Sequence, residues 1–475
     1  MPPQKLPSEG PHGYPVLHFI FHMKHRPRLD PEFVPAVLWN RNYAAMAEKN
    51  PCSRPLALTL HRGDSTVSVY RTRVLPHTAE TSGMTIKYVE RLLKFLLWQR
   101  GGYKVLIAGA PEIARQIQEI YSPGGARAFD YDFMGRKVYG RPMEVVACEE
   151  VPEPRELSIP LGRNLDGCRI GFDLGGSDRK CAALLDGKVV FSEEVRWDPY
   201  FQSDPQYHYD GIQDTLRRAA EKLPRVDAIG GSSAGVYVNN EVRVASLFRG
   251  VSEEDFERRV RRIFFDLQKE WGGIPFEVVN DGEVTALAGS MSMNDNSVLG
   301  ISLGTSQAAG YVDPDGHIRP WLNELAFAPV DYRENAPLDE WSGDAGCGVQ
   351  YFSQQGVARL VPLAGIELPA GMPFAEQLVE VQRLMAEGDS RARAIYETIG
   401  AYLGYSVAHY ADFYEIRNLL ILGRVTSGEG GEVILEKASA VLRDEFPEVK
   451  LQLRTPDEQD KRHGQAVAAA SLPKL

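Results

Sequence analysis

The chain has 475 residues, 43% of them hydrophobic and 25% charged, with a formal net charge of −11. That length supports two or three domains and a large core, and an acidic balance without a long basic run argues against a nucleic-acid backbone as the main partner. Five scattered cysteines without a C-x-x-C pair fit a reducing compartment, and the absence of a signal-type segment or an 18-residue apolar run gives the expectation of a cytoplasmic protein with no membrane association.

In chain order, residues 1–55 read as irregular, with many Pro, His and Asn. Leu56 to Leu60, the Arg62-Gly63-Asp64-Ser65 turn and Thr66 to Val74 predict a hairpin. Ile86, Val89, Leu92, Leu93 and Leu96 fall on one face of a helix over Met84 to Gln99. Lys104 to Ala108 reads as a buried strand. Gly109-Ala110-Pro111 then opens a helix through Tyr121, with Pro in its first turn. Lys137 to Cys148 suggests a second hairpin. Glu149 to Pro160 is rich in Pro and Glu and reads as a linker. The expectation is an N-terminal α+β domain with linker over residues 1–160.

From Cys168 onward strands and helices alternate, an α/β pattern with functional turns at the carboxyl ends of strands. Ile170-Gly171-Phe172 runs into Asp173-Leu174-Gly175-Gly176-Ser177, and strands Cys181 to Leu185 and Lys188 to Phe191 follow on either side of Asp186-Gly187. Val226 to Gly230 is a strand entering the Gly231 to Gly235 turn. Glu253 to Trp271 reads as an amphipathic helix. Phe276 to Val279 is a strand ending at Asn280-Asp281, ahead of a small-residue helix over Glu283 to Met291. Ser297 to Leu303 ends at Gly304-Thr305-Ser306. Arg391 to Phe413 is a long helix, and the strand Leu419 to Leu422 ends at Gly423.

Several of these turns carry chemistry. Gly175-Gly176-Ser177 is stripped of bulk so that backbone N–H groups can approach phosphate oxygens, and Asp173 could hold a metal-bound water beside them. The pattern Asp-x-Gly-Gly, here Asp173 to Gly176, also occurs in ordinary hairpin turns. Asn280-Asp281 is either a helix N-cap or a carboxylate able to take a proton from a substrate hydroxyl. Gly304-Thr305-Ser306 and Gly423 are further phosphate-turn candidates or plain turns. Gly231-Ser232-Ser233-Ala234-Gly235 matches the G-x-S-x-G pattern, but a strand-turn-strand follows where a nucleophile elbow needs a helix, which argues against a serine hydrolase.

Taken together and in this order, the turns resemble the ROK family of sugar kinases, within the actin-like/hexokinase ATPase superfamily. Asp173-Leu174-Gly175-Gly176-Ser177 is similar to the family's first phosphate motif. Gly231 to Gly235 looks like its Gly-x-x-x-Pro-Gly turn, with Ala234 in place of Pro. Asn280-Asp281 matches its Asn-Asp pair, Gly304-Thr305-Ser306 its second phosphate loop, and Gly423 with Arg424 its adenosine turn. The resemblance covers roughly residues 168–475. It implies a two-lobed α/β fold of the ribonuclease H-like, hexokinase type, with residues 161–282 and 462–475 as the small lobe and 283–461 as the large one. It further implies ATP and Mg²⁺ as cofactors, with Asp173 reaching the metal through water. Asp281 would be the general base, and Asn280, Gly235 and Glu324 would contact a sugar or small polyol. A homodimer is compatible with it.

Departures from the family pattern fall in one stretch. Its Gly-Glu-Ile-Gly-His segment aligns with Asn323-Glu324-Leu325-Ala326-Phe327, so the His is Phe327. Its zinc stretch aligns with Glu340 to Val349, where the first two Cys are Glu340 and Ser342 and the final Glu is Val349. One thiolate, Cys347, remains of a tetrahedral set, so no structural zinc is expected. Phe327 and Val349 would form an apolar wall in the acceptor site, disfavouring glucose and favouring a deoxy, shorter or otherwise substituted polyol. Alternatively they are core, with the acceptor shifted toward residues 130–132. The expected function is ATP-dependent phosphorylation of a sugar or polyol hydroxyl. The alternative is a sensor or regulatory protein of similar fold that binds ligand without turnover. Residues 1–160 are strand-rich and lack a helix-turn-helix pattern, which argues against a repressor.

Overall fold

Ile170, Phe172 and Leu174 alternate with Gly171 and Asp173, and a strand buried on both faces results. In the computed structural model, which describes residues 22–63, 66–156, 161–455 and 460–475, Cys168–Leu174 is the middle strand of a five-stranded sheet, and all seven of its residues are buried. Strands Ala228–Ser233 and Phe276–Asn280 run parallel to it on one side. On the other side Asp178–Leu185 and Lys188–Arg196 continue antiparallel around Asp186-Gly187. Helix Pro205–Ala220 and the C-terminal helix Asp460–Ala470 pack on this sheet.

A second sheet is ordered Gln307–Val312, Val298–Leu303, Asn418–Leu422, Gln452–Arg454. Helix Asp281–Met293 packs on it, and the long helix Ser390–Ala411 packs against helix Glu429–Glu445. The N-terminal region forms a third sheet, ordered Val67–Val74, Arg54–His61, Lys104–Ala108, Glu144–Cys148, covered by helix Ser82–Arg100. Its hydrophobic residues, among them Trp39, Leu92 and Trp98, join Leu299, Tyr351, Tyr402 and others in one continuous core with the second sheet's layer, whereas the first sheet has a core of its own.

Four local expectations are corrected. Residues 36–49 are a helix, not irregular, because Val37, Trp39, Tyr43 and Ala47 share a buried face and Pro35 can precede the first turn. Residues 137–148 are not a hairpin: Phe133–Tyr139 is a wide helical turn ended by Gly140, and Glu144–Cys148 pairs parallel to Lys104–Ala108 across the crossover helix Pro111–Ile120. Gly231 to Ser233 belong to the strand, so only Ala234-Gly235 turn. The 253–271 helix is broken into Glu253–Asp255, the turn Phe256–Val260 and Ile263–Glu270. The proposed linker is extended and anchored through Glu156, which accepts from Arg62, Ser68 and Trp321; residues 64, 65 and 157–160 lie outside the described residues.

Candidate active site

Asp281 begins a helix directly after the strand Phe276–Asn280. Asn280 is its N-cap: the Oδ1 accepts from the Gly282 N–H at 2.7 Å, and the Nδ2 donates to the Gly235 carbonyl at 2.7 Å. Capping and acceptor binding are compatible, since one N–H and one lone pair of the amide remain. Gly235 has φ +130°, and a Cβ there would strike the Val244 carbonyl and Ala245, so only glycine fits this turn.

Three carboxyl groups converge. Burial, reinforced by the charge of Asp173, pushes the Asp281 carboxyl up to about 6. Burial and the charge of Asp281 push Glu324 up to about 7. Asp173, at the end of the central strand, is also raised by burial, opposed by the Ser232 hydroxyl that donates to its Oδ1 at 2.7 Å and by Lys180. A fourth carboxyl, Glu283, lies one step behind. Burial lifts it to about 8 against the Asn323 amide and the Tyr311 N–H that donate to it, and the charge of Glu324 adds to the lift. Like charges in a shared desolvated site cannot all ionise cheaply, so these groups hold protons more tightly than ordinary carboxyls, and of those lifted to about 6, 7 and 8 Asp281 is the most readily ionised at neutral pH.

Glu324 is positioned by the N-terminal region. The Asn323 and Glu324 N–H groups donate to the Gln99 and Trp98 carbonyls at 2.9 and 3.0 Å, meeting the unpaired carbonyls at the end of helix Ser82–Arg100. Asn323 sits at φ +50° and accepts from the Tyr414 hydroxyl. Phe327 stacks on Trp98 and meets Phe129 and Phe133. Val349, 4% exposed, shares a small apolar cluster with Ala326, Cys347 and Phe327. Asp130 is buried and accepts from Lys94 and Trp98, whereas Asp132 lines an adjacent cavity.

The aligned zinc stretch is occupied by internal partners. Ser342 donates to Asp339, Glu340 is exposed, and burial pushes the Cys347 thiol far up. Among the described residues no group of three His, Cys, Asp or Glu could hold a metal. Beside Cys347, Asp344 is instead bound by Lys94, Arg91 and Arg127, all from the N-terminal region.

The second set of turns lies at adjacent strand ends. Gly304-Thr305-Ser306 closes the hairpin between Val298–Leu303 and Gln307–Val312, with Thr305 and Ser306 exposed. Gly423, at φ +104°, follows the parallel strand Asn418–Leu422; any Cβ there would strike the Leu303 backbone, and Arg424 beside it is exposed. The Asp281 helix contacts this hairpin, since Gly282 lies against the Ala309 carbonyl. These turns and Asp173 can accommodate a magnesium-bound nucleotide: exposed hydroxyls and bare backbone sit at two strand ends, and one oxygen of Asp173 is not bound to Ser232. Gly175 and Gly176 are half-buried, and the Tyr200 hydroxyl fills the space beside Gly176.

Sequence reasoning missed Ser232, Glu283, Asn323 and Tyr200. Ser232 was visible inside the Gly231 to Gly235 turn but was given no role of its own, and Glu283 read as one more residue of a helix start.

No protein-family model and no curated protein sequence matches the chain. Solved structures do. The ROK hexokinase of Thermus thermophilus aligns over 64% of this chain and 96% of its own, at 18% identity and a TM-score of 0.50. A ROK family glucokinase from Streptomyces griseus, solved with glucose and AMPPNP, covers 64% and 98% at 19% identity and a TM-score of 0.48. A ROK family transcriptional regulator, a homologue of an E. coli protein, covers 65% and 79% at 18% identity and a TM-score of 0.49. Over 64% of its length, then, this chain has the fold of a ROK hexokinase, with a further sheet built onto it.

Proposed function

We propose that the chain is an ATP-dependent kinase acting on a hydroxyl of a sugar or related small polyol, with Asp281 as general base. The observation that most supports it is the desolvated Asp281 carboxyl, capped in place at a strand end between Asp173 and Glu324 and poised at about 6. A base of that strength is ionised at neutral pH yet takes a hydroxyl proton more readily than an ordinary aspartate. Pure binding needs no such group.

Bound ATP with Mg²⁺ supplies the phosphoryl group and neutralises its charge. The turns at 175–177 and 304–306 would offer N–H groups to the phosphates, Asp173 would hold the magnesium ion through water, and Gly423 with Arg424 would face the adenosine. Glu324 and Asn280 orient the acceptor hydroxyl toward Asp281. Residues 161–282 with 462–475 form one lobe and 283–461 the other, and closure excludes water.

A thermal-shift screen with ATP·Mg and a sugar panel, followed by ADP release on every hit, tests this. Stabilisation by a sugar together with ADP formation supports the kinase. Stabilisation without ADP from any sugar overturns it in favour of a sensor.

A further inference from the structure

A cavity of about 650 Å³ opens between the helical turn Phe133–Tyr139, the segment 243–261 and Trp341. Five cations line it (Arg136, Lys137, Arg243, Arg249 and Arg261) against three carboxylates, Asp132, Glu253 and Glu257. With Glu241, which pairs with Arg243 just outside the lining, the local balance is one positive charge in excess on a chain of net charge −11. Lys137 is paired with Glu253, Arg261 with Glu257 and Arg243 with Glu241, so the charge open to a ligand is that of Arg249 and, in part, of Arg136. Arg136 reaches its nearest carboxylate, Asp132, only at 3.8 Å. Among the described residues Arg249 has no carboxylate within ion-pair distance; its guanidinium stands 4.0 Å over the Tyr200 ring. Arg243, paired with Glu241, keeps a buried Nε without a hydrogen-bond partner.

Contacts join this cavity to the candidate active site on three sides. Phe129, Phe133 and Trp341 meet Phe327, three residues past Glu324. Val244 and Ala245 back the Gly235 turn that holds Asn280. Arg249 lies on Tyr200, whose hydroxyl covers Gly176 in the first phosphate turn. Aromatic faces suit the apolar face of a sugar ring, and guanidinium forks suit phosphate or carboxylate oxygens.

We propose that this cavity binds an anionic group carried by the acceptor, so that the substrate is a sugar or polyol bearing a phosphate or carboxylate rather than a neutral hexose. The proposal rests on the reading of Asp281 as facing an acceptor hydroxyl. Most of this wall comes from residues 129–137 and 243–261, so the N-terminal region is part of the acceptor site. The cations steer an anionic ligand into a cleft of an otherwise acidic protein.

Calorimetry on the full chain, saturated with AMPPNP and Mg²⁺, tests it with glucose, glucose 6-phosphate and glucuronate as probes. The expected result is at least tenfold tighter binding of one anionic probe than of glucose. Which anion binds tighter decides between phosphate and carboxylate. Replacing Arg136→Ala and Arg249→Ala together, at exposed positions that leave the core intact, should cut that preference at least tenfold, and Arg249→Lys should keep part of it. Equal or tighter binding of glucose overturns the proposal. So does a double variant that keeps the anion preference, or one that weakens AMPPNP binding alone, which would give these arginines to the nucleotide. Anion preference without ADP formation from ATP supports the cavity's assignment and overturns the kinase reading, so the two fail separately.

Discussion

Phe327 stacks on Trp98, with ring centroids 4.3 Å apart and planes inclined by 28°. Trp98 also accepts the Glu324 N–H on its carbonyl and donates its own indole N–H to Asp130 at 2.8 Å. One buried residue of the N-terminal helix therefore holds both ends of the 324–327 turn. Trp98→Ala should cost about 3–5 kcal/mol through cavity formation, read as a lower urea midpoint. Both variants keep the backbone bond and lose the indole N–H to Asp130, but Trp98→Phe retains an aromatic ring beneath Phe327, so it should lose less stability. Equal losses in the two variants would show that the stacked ring contributes little.

Asp281→Ala should lower turnover by about 10²–10⁴-fold, the usual contribution of a general base, while ATP affinity changes little. Single-turnover kinetics beside nucleotide titration reads both. Retention of more than half the wild-type rate would remove Asp281 from the chemistry.

The acid limb of kcat/KM should fall near pH 6. Asp281 acts only as the carboxylate, and with its pKa raised to about 6 that form is lost as pH drops through 6, about tenfold per unit below it. Because Glu324, raised to about 7, interacts with it, the observed limb belongs to the pair and not to Asp281 alone. An ordinary aspartate would place the limb near 4. A profile flat from pH 5 to 8 is the outcome that excludes this assignment.

Lys94 lies 2.9 Å from Asp130 and 3.1 Å from Asp344, fully buried. Lys94→Met leaves the buried Asp130 without its cation, while Asp344 keeps Arg91 and Arg127, and should destabilise by about 3–5 kcal/mol. Lys94→Met with Asp130→Leu should recover part of that loss, because one uncompensated charge is then gone. Denaturant unfolding of both variants measures it.

Purified, chelator-free protein should carry no stoichiometric zinc. Glu340, Ser342 and Phe327 stand where three of the ligands would be in the aligned pattern, and Cys347 alone cannot complete a tetrahedral site. Elemental analysis giving one tightly held zinc per chain would require residues 323–349 to be realigned.

Local chemistry made much of this protein legible in its sequence. Glycine, carboxylate and hydroxyl clusters at strand ends are short-range signals, set by which residues tolerate tight turns and cap helices. Asp173, Asn280-Asp281, Gly304 to Ser306 and Gly423 could be placed on that basis, and each stands at a strand end in the structure. Helix Ser82–Arg100 and the strand Lys104–Ala108 were readable from their apolar patterns. What the sequence could not hold is long-range pairing. Residues 137–148 alternate as a hairpin would, but the tertiary structure gives Glu144–Cys148 a parallel partner some forty residues earlier. The 253–271 stretch has helical periodicity, yet packing breaks it twice. Only the folded chain brings Trp98 under Phe327, Lys94 onto Asp344, and Asp173, Asp281 and Glu324 into one desolvated group. The strength of Asp281 as a base depends on burial and on charges distant in the chain, quantities that exist only once the fold has closed around it.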